Sequence, residues 1–244
     1  MRDPVRAVVV IPTYNESENI LPLIAEIHAV VPDLHVLVVD DASPDGTGAL
    51  VADLAAKDPR VRLLSRPRKQ GLGTAYLAGF RECLARGYRL ICQMDSDFSH
   101  QPCYLADLLR ESEHADLVLG SRYTAGGATE DWSLKRKILS RAGNLYARTI
   151  LGVPIRDLTG GFKCFRRAVL EAISLDTVRA EGYAFQMEMT YRAWRRGFRI
   201  VEVPIVFPDR SRGVSKLSSG IFWESLRMPW VLRWGSGSGP PASR

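Results

Sequence analysis

An α/β fold, a mostly parallel sheet with helices on both faces, is predicted by three observations. Short β-branched runs recur along the 244 residues, helical patterns separate them, and the runs are apolar on both faces. A sheet with one face in water would alternate instead, so both faces are expected to be covered. RAVVVIP is a buried strand, and SENILPLIAEIHAVV follows with helix periodicity, with Glu16 or Ser17 near its cap. HVLVVDD, VRLLSRP, YRLICQMD and ADLVLGSRY are further strands, and DGTGALVADLAAK, GTAYLAGFRECLARG and PCYLADLLRES are the helices between them. Right-handed crossovers then make the first half a Rossmann-like layer.

The second half is less regular. WSLKRKILSRAGNLYARTILG is a long basic helix, and DLTGGFKCFRR is a Gly-broken loop entering a strand. AFQMEMTYRAWRRG is a helix and FRIVEVPIVF a strand, while GSGSGPPASR is composed like a disordered tail. The division expected is a domain over 1–217 and a tail over 218–244.

Composition narrows the function. The apolar and charged fractions are those of a soluble protein, and a net charge of +6 favours anionic partners. No recognisable nucleic-acid module accompanies that charge, so nucleic acid is not expected as a partner. Cys83, Cys92, Cys103 and Cys164 show no CxxC and no zinc spacing, and read as reduced thiols of a cytoplasmic protein. The start, MRDPVRAVVVIP, enters a strand almost at once, so no signal peptide is expected. No apolar run approaches the roughly 20 residues of a spanning helix.

In an open α/β sheet, ligands sit beyond the carboxyl ends of the strands. Three strands end there in polar groups: PTYNE, VDDASPDGT and MDSDFS. Asp95 and Asp97 alternate across a strand, but a turn after Asp95 would let both reach one cation. Hard oxygen ligands point to Mg²⁺ or Mn²⁺ held partly by substrate phosphates, and Ser99 offers a third oxygen.

The motifs PTYNE, VVDDASPDGT, GLGTAY, MDSDFSH, GSRY, KRKILSR, DLTGGFK, FQMEM and DRSRGVSKL occur in this order between about Ala7 and Leu217. Each is short, and the ordered set resembles dolichol-phosphate mannose synthases and their bacterial polyprenol-phosphate counterparts. These are inverting glycosyltransferases of family two, GT-A type. The resemblance implies GDP-mannose as donor and a polyprenyl monophosphate as acceptor. It implies a nucleotide pocket lined by Pro12, Tyr14, Asn15 and Glu16. Asp40 and Asp41 would bond guanine or ribose, with turn formation as their alternative role. Asp95, Ser96 and Asp97 match the DxD motif that binds metal and diphosphate. Arg122, Arg136, Ser140, Arg210 and Lys216 match positions that gather the acceptor phosphate and the donor's anionic groups. Glu188 of FQMEM is expected to orient an arginine or the acceptor loop, and Asp157 to fix that loop. Gln186, Met187 and Met189 have core packing as their alternative.

Gly71 and Gly73 of GLGTAY are read as letting a loop pass close to the donor, or else as a helix-entry turn. The end, LSSGIFWESLRMPWVLRWGSG, carries Phe222, Trp223, Trp230 and Trp234 among basic residues, with Pro229 interrupting any single long helix. That composition suits a segment lying on a membrane, or one capping the core or meeting a partner. Family members without membrane helices rely on a separate membrane subunit, which this chain's pattern matches. The expectation is therefore a peripheral enzyme on the cytoplasmic face of the membrane. Its rivals are a polyprenyl-phosphate glucose synthase using UDP-glucose and a silent nucleotide-sugar-binding subunit.

Overall fold

A computed structural model describes residues 7–178, 180–209 and 219–235, as backbone alone over 219–225. The first half alternates strand and helix: β1 (Ala7–Thr13), α1 (Ile20–Val30), β2 (His35–Asp40), α2 (Thr47–Ala55), β3 (Val61–Ser65), α3 (Leu72–Ala85) and β4 (Leu90–Gln93). A 3₁₀ turn (Pro102–Tyr104) leads into α4 (Leu105–Glu111) and β5 (Leu117–Ser121). The second half holds β6 (Ala128–Thr129), α5 (Leu134–Leu151), β7 (Lys163–Arg166), α6 (Arg167–Ile173), α7 (Gly182–Arg195), β8 (Ile200–Pro204), β9 (Val206–Phe207) and α8 (Ser219–Trp234).

Seven strands form one sheet in the order β3-β2-β1-β4-β7-β5-β8. All neighbours are parallel except β7, which lies antiparallel between β4 and β5. The chain leaves β5, passes through α5 and the Gly-broken loop, and re-enters the sheet between β4 and β5 in the opposite direction. Strand periodicity explains the two core layers. Val8 and Val10 of β1, with Leu37 and Val39 of β2, face Tyr76 and Phe80 of α3. Val9 and Ile11, with Val36 and Val38, face Leu23, Ile24 and Ile27 of α1. Helix α3 lies so close that a Cβ on Gly79 would stand 2.4 Å from Val10 Cγ1.

Three local expectations need correction. The first helix starts at Ile20 with Asn19 as N-cap and no side-chain cap. Asn15 turns left-handed (φ 61°), and the Glu16 backbone carbonyl accepts the Ile20 amide. The strand expected over YRLICQMD stops at Gln93, so Asp95 and Asp97 stand on a loop rather than on alternate faces of a strand. Pro229 does not interrupt α8 but lies buried inside it. A proline removes one amide donor from a helix, and packing against α5 and α7 holds this one in place. Met228 and Leu232 of α8 pack against the core. Among the described residues no helix is long and apolar enough to cross a membrane. The four cysteines are free thiols.

Candidate active site

The carboxyl edge of the sheet gathers the ends of β1, β2, β3 and β4. After β1, the Asn15 amide donates to Ser43 Oγ (3.1 Å) and the Glu16 amide to Thr47 Oγ1 (3.0 Å), which ties PTYNE to the turn after β2. Pro12 is buried under the edge, whereas Tyr14 is half-buried with Lys69 Nζ 4.0 Å above its ring. An aromatic face and a cation together suit a nucleotide's base and phosphates.

Asp40 is corrected to its alternative role. Its Oδ1 accepts from Thr13 Oγ1 (2.8 Å) and Ser43 Oγ (2.6 Å), and its Oδ2 from the Ser43 amide (3.0 Å). With both oxygens taken, this carboxylate builds the turn. Asp41 pairs with Arg66 Nε at 2.9 Å, and its Oδ2 accepts the Gln70 amide, so it braces the loop carrying Lys69.

The MDSDFSH loop forms the turn that brings two carboxylates together. Phe98 adopts φ 60°, and Ser99 closes a tight turn by donating both its amide (3.1 Å) and its hydroxyl to Asp97 Oδ1. Ser99 therefore orients Asp97 and is not placed as a third ligand; Ser96 is buried beside it. Asp95 Oδ1 accepts the Tyr76 hydroxyl at 2.9 Å. The Asp95 amide donates to His100 Nδ1 at 2.9 Å, which puts the ring proton on Nε2. Burial lowers the His100 pKa, although Asp95 and Asp97 oppose it, so the ring is a neutral acceptor rather than an ion-pair partner. Among the described residues no group of three His, Cys, Asp or Glu side chains completes a metal cage. Two half-buried carboxylates on one turn fit a hard divalent cation that takes its other ligands from phosphate oxygens.

Gly160 and Gly161 join this turn to the basic side. A Cβ on Gly161 would stand 3.1 Å from His100 Cε1 and 3.7 Å from Asp95 Oδ2, so a side chain there would crowd the His100 ring. The same loop carries Asp157, whose side chain is fully buried against Arg122. Arg122 donates from Nε and Nη2 to the two Asp157 oxygens, both at 2.7 Å, and from its amide to Oδ2. Burial would lower the guanidinium's pKa, but Asp157 outweighs it and the pair stays charged. Asp157 does fix the loop as expected, and Arg122 brings less net charge to an acceptor than its motif implies.

Arg136 stacks 3.8 Å above the Trp132 ring and pairs with Asp209. Ser140 Oγ accepts the Tyr123 hydroxyl at 2.7 Å. Glu188 holds an arginine, the first of its two expected roles, and that arginine is Arg192 of its own helix. Its buried carboxylate also accepts the Ala180 amide at 3.1 Å, so it is a strut. Gln186, Met187 and Met189 are core residues, as their alternative had it. Gly71 and Gly73 are also corrected: they begin α3 and approach Glu181 and the Ala180 carbonyl, not an open pocket. Arg210, Lys216 and the side chains of Phe222 and Trp223 lie outside the described residues.

Sequence reasoning missed Tyr76, the last residue of GLGTAY, and the buried acceptor His100. It also missed a cavity of about 360 Å³ lined by Arg122, Tyr123, Arg141, Leu145, Arg148 and Arg156. Arg141, Arg148 and Arg156 make no ion pair among the described residues. The signal for Arg141 and Arg148 was the basic run of α5, where the motif reading used only Arg136 and Ser140; Arg156 lies beyond that helix, just before DLTGGFK.

Comparisons place this arrangement. Residues 8–174 match Glycosyl transferase family 2. The chain is 48% identical over 237 residues to the polyprenol monophosphomannose synthase of Mycolicibacterium smegmatis, covering 96% of this chain and 89% of that protein. It is 49% identical over 230 residues to the undecaprenyl-phosphate mannosyltransferase of Micrococcus luteus, covering 94% of each. The mannosyltransferase PcManGT of Pyrobaculum calidifontis, solved with GDP-Man and Mn2+, shares the fold at a TM-score of 0.57 and 19% identity, over 93% of this chain and 72% of that one. S. aureus TarS, solved with UDP-GlcNAc, does so at 0.59 and 17%, over 93% and 66%. Two different nucleotide sugars occur on one fold, so the fold alone does not choose the donor. The chain belongs to glycosyl transferase family 2.

Proposed function

We propose that this protein transfers mannose from GDP-mannose to a polyprenyl monophosphate, with inversion at the anomeric carbon. The observation that carries the reading is the Asp95–Asp97 turn, set at the carboxyl edge beside the ends of β1 and β2. It occurs in a chain 48–49% identical to two polyprenyl-phosphate mannosyltransferases. The donor's nucleotide lies along Tyr14, Lys69 and the Asn15–Glu16 turn, and its diphosphate reaches toward Asp95 and Asp97. A divalent cation bound there supplies charge neutralisation of the departing diphosphate.

A phosphate monoester has a second pKa of about 6 and is already a nucleophile near neutrality. One of its oxygens attacks C1 from the face opposite GDP. The new C1–O bond forms as the old one breaks, and GDP leaves with the electron pair. No protein base is required. The chain must instead hold two polyanions together, and Arg136, Ser140 and the cationic cavity beside Arg122 serve that end. Arg210 and Lys216 join them in this reading, which places the enzyme peripherally on the cytoplasmic face of a membrane. A separate anchoring subunit would be a partner.

The test is transfer of labelled sugar from GDP-mannose or UDP-glucose to polyprenyl monophosphate, with Mg²⁺, with Mn²⁺ and with EDTA. The reading expects metal-dependent transfer from GDP-mannose, and loss of at least about 100-fold in Asp97→Ala with an unchanged fold. Transfer from UDP-glucose alone would overturn the donor. Full activity in EDTA would overturn the role of the aspartates.

A further inference from the structure

Helix α5 turns its apolar stripe outward. Leu134, Ile138 and Leu145 recur at spacings of four and seven, which places them on one face. They are 73%, 60% and 61% exposed, while the polar Asn144 is buried and Ser140 faces the site. No acidic residue occurs in α5, and Lys137, Arg141 and Arg148 form a row along one edge of the stripe. Arg156 joins that row across the cavity that Leu145 also lines.

Helix α8 extends this face. Trp230 Nε1 donates to the Tyr146 hydroxyl at 2.7 Å, and Arg233 Nη1 donates to the Leu151 carbonyl at 2.7 Å, pinning α8 to α5. Trp230 and Trp234 stack with centroids 4.9 Å apart, and both are more than half exposed. Singly scattered apolar residues are ordinary on a surface, but an aligned exposed stripe with two stacked tryptophans on the adjoining helix marks an interaction face.

We propose that the α5–α8 face docks on the surface of a bilayer containing anionic lipid. The aliphatic stripe and the tryptophans enter the headgroup boundary, and Lys137, Arg141, Arg148 and Arg156 meet lipid phosphates. Charge selects this occupant. A second copy would set the same cationic row against itself, and a purely apolar partner helix would leave those cations unmatched. The inference deepens the reading above, because the helix that carries the stripe also carries Arg136 and Ser140 on its side turned toward the site. An acceptor phosphate held in the bilayer would then arrive beside them. Docking itself requires neither donor nor acceptor.

The experiment is flotation of the full chain with vesicles lacking polyprenyl phosphate, of phosphatidylcholine alone or of equal parts phosphatidylcholine and phosphatidylglycerol. Removing α8 would uncover the core, so exposed positions are substituted instead. The wild type is expected to float with anionic vesicles, several-fold less with neutral ones, and less as salt rises. Leu134→Glu/Ile138→Glu should weaken binding by about tenfold or more, with unchanged thermal unfolding. Arg141→Gln/Arg148→Gln should remove most of the preference for anionic vesicles. Absence of wild-type flotation, or full flotation of both variants, overturns the proposal. So does a dimer in solution that Leu134→Glu/Ile138→Glu dissociates without any vesicle binding. Because no sugar transfer is read, failure here leaves the mannosyltransferase reading standing, and the reverse also holds.

Discussion

Replacing Asp157 by Asn tests how the two halves of the site are held together. Asp157 is 1% exposed, and it accepts from Arg122 Nε, Nη2 and amide and from the Gly160 amide at 2.7–3.0 Å. Asparagine keeps one acceptor oxygen and turns an NH₂ toward the guanidinium donors, leaving Arg122 buried with no counter-charge. Breaking a buried ion pair from one side costs about 3–5 kcal/mol. For a chain of this size, each kcal/mol moves Tm by about 2–4 °C, so the expected fall is about 6–20 °C. The pH dependence has a definite sign. Burial would raise the Asp157 pKa, but Arg122 outweighs it and holds the carboxyl below its ordinary value. Its contribution is therefore full above the unfolded-state value of about 4 and is lost as pH falls through the folded-state value. The assay is thermal unfolding by circular dichroism across acid pH, for wild type, Asp157→Asn and Arg122→Met/Asp157→Leu. The double variant should lose less than the single one, because no charge is stranded. A single-variant shift under about 2 °C, or an unchanged acid limb, would refute the argument.

Three further outcomes follow from the same geometry. Burial lowers the Lys163 pKa to about 7, with Nζ donating to the Gln186 carbonyl and Thr190 Oγ1. The unfolded chain then binds the extra proton between about pH 7 and 10, so wild-type stability rises with pH across that window. Lys163→Met should flatten that rise in denaturant midpoints, and an unchanged slope would contradict it. Tyr76→Phe keeps the stacking on Phe80 and Phe185 but removes the hydroxyl from Asp95. Roughly a 2- to 10-fold loss of transfer, partly recovered at higher metal concentration, is expected from one hydrogen bond. Glu188→Gln should lower Tm while leaving transfer below the transition within about threefold of wild type; a hundredfold loss would return Glu188 to the chemistry.

The sequence by itself determined the layers, because strand periodicity and helix periodicity are local properties and both faces of each strand were visibly apolar. It also determined the three polar strand ends, since Asp, Asn and Ser beyond a buried run have few other places to go. The Asp95–Asp97 pair was legible for that reason. Tertiary structure alone decided which carboxylates are engaged. Asp40 and Glu188 are spent within the protein because Ser43 and Thr13, and Arg192 and Ala180, reach them. Arg122 is neutralised by a residue 35 positions away. The antiparallel entry of β7 and the outward stripe of α5 were equally out of reach. Whether an apolar face points into a core or away from it is set by the neighbour on the other side, and no residue's own sequence records that neighbour.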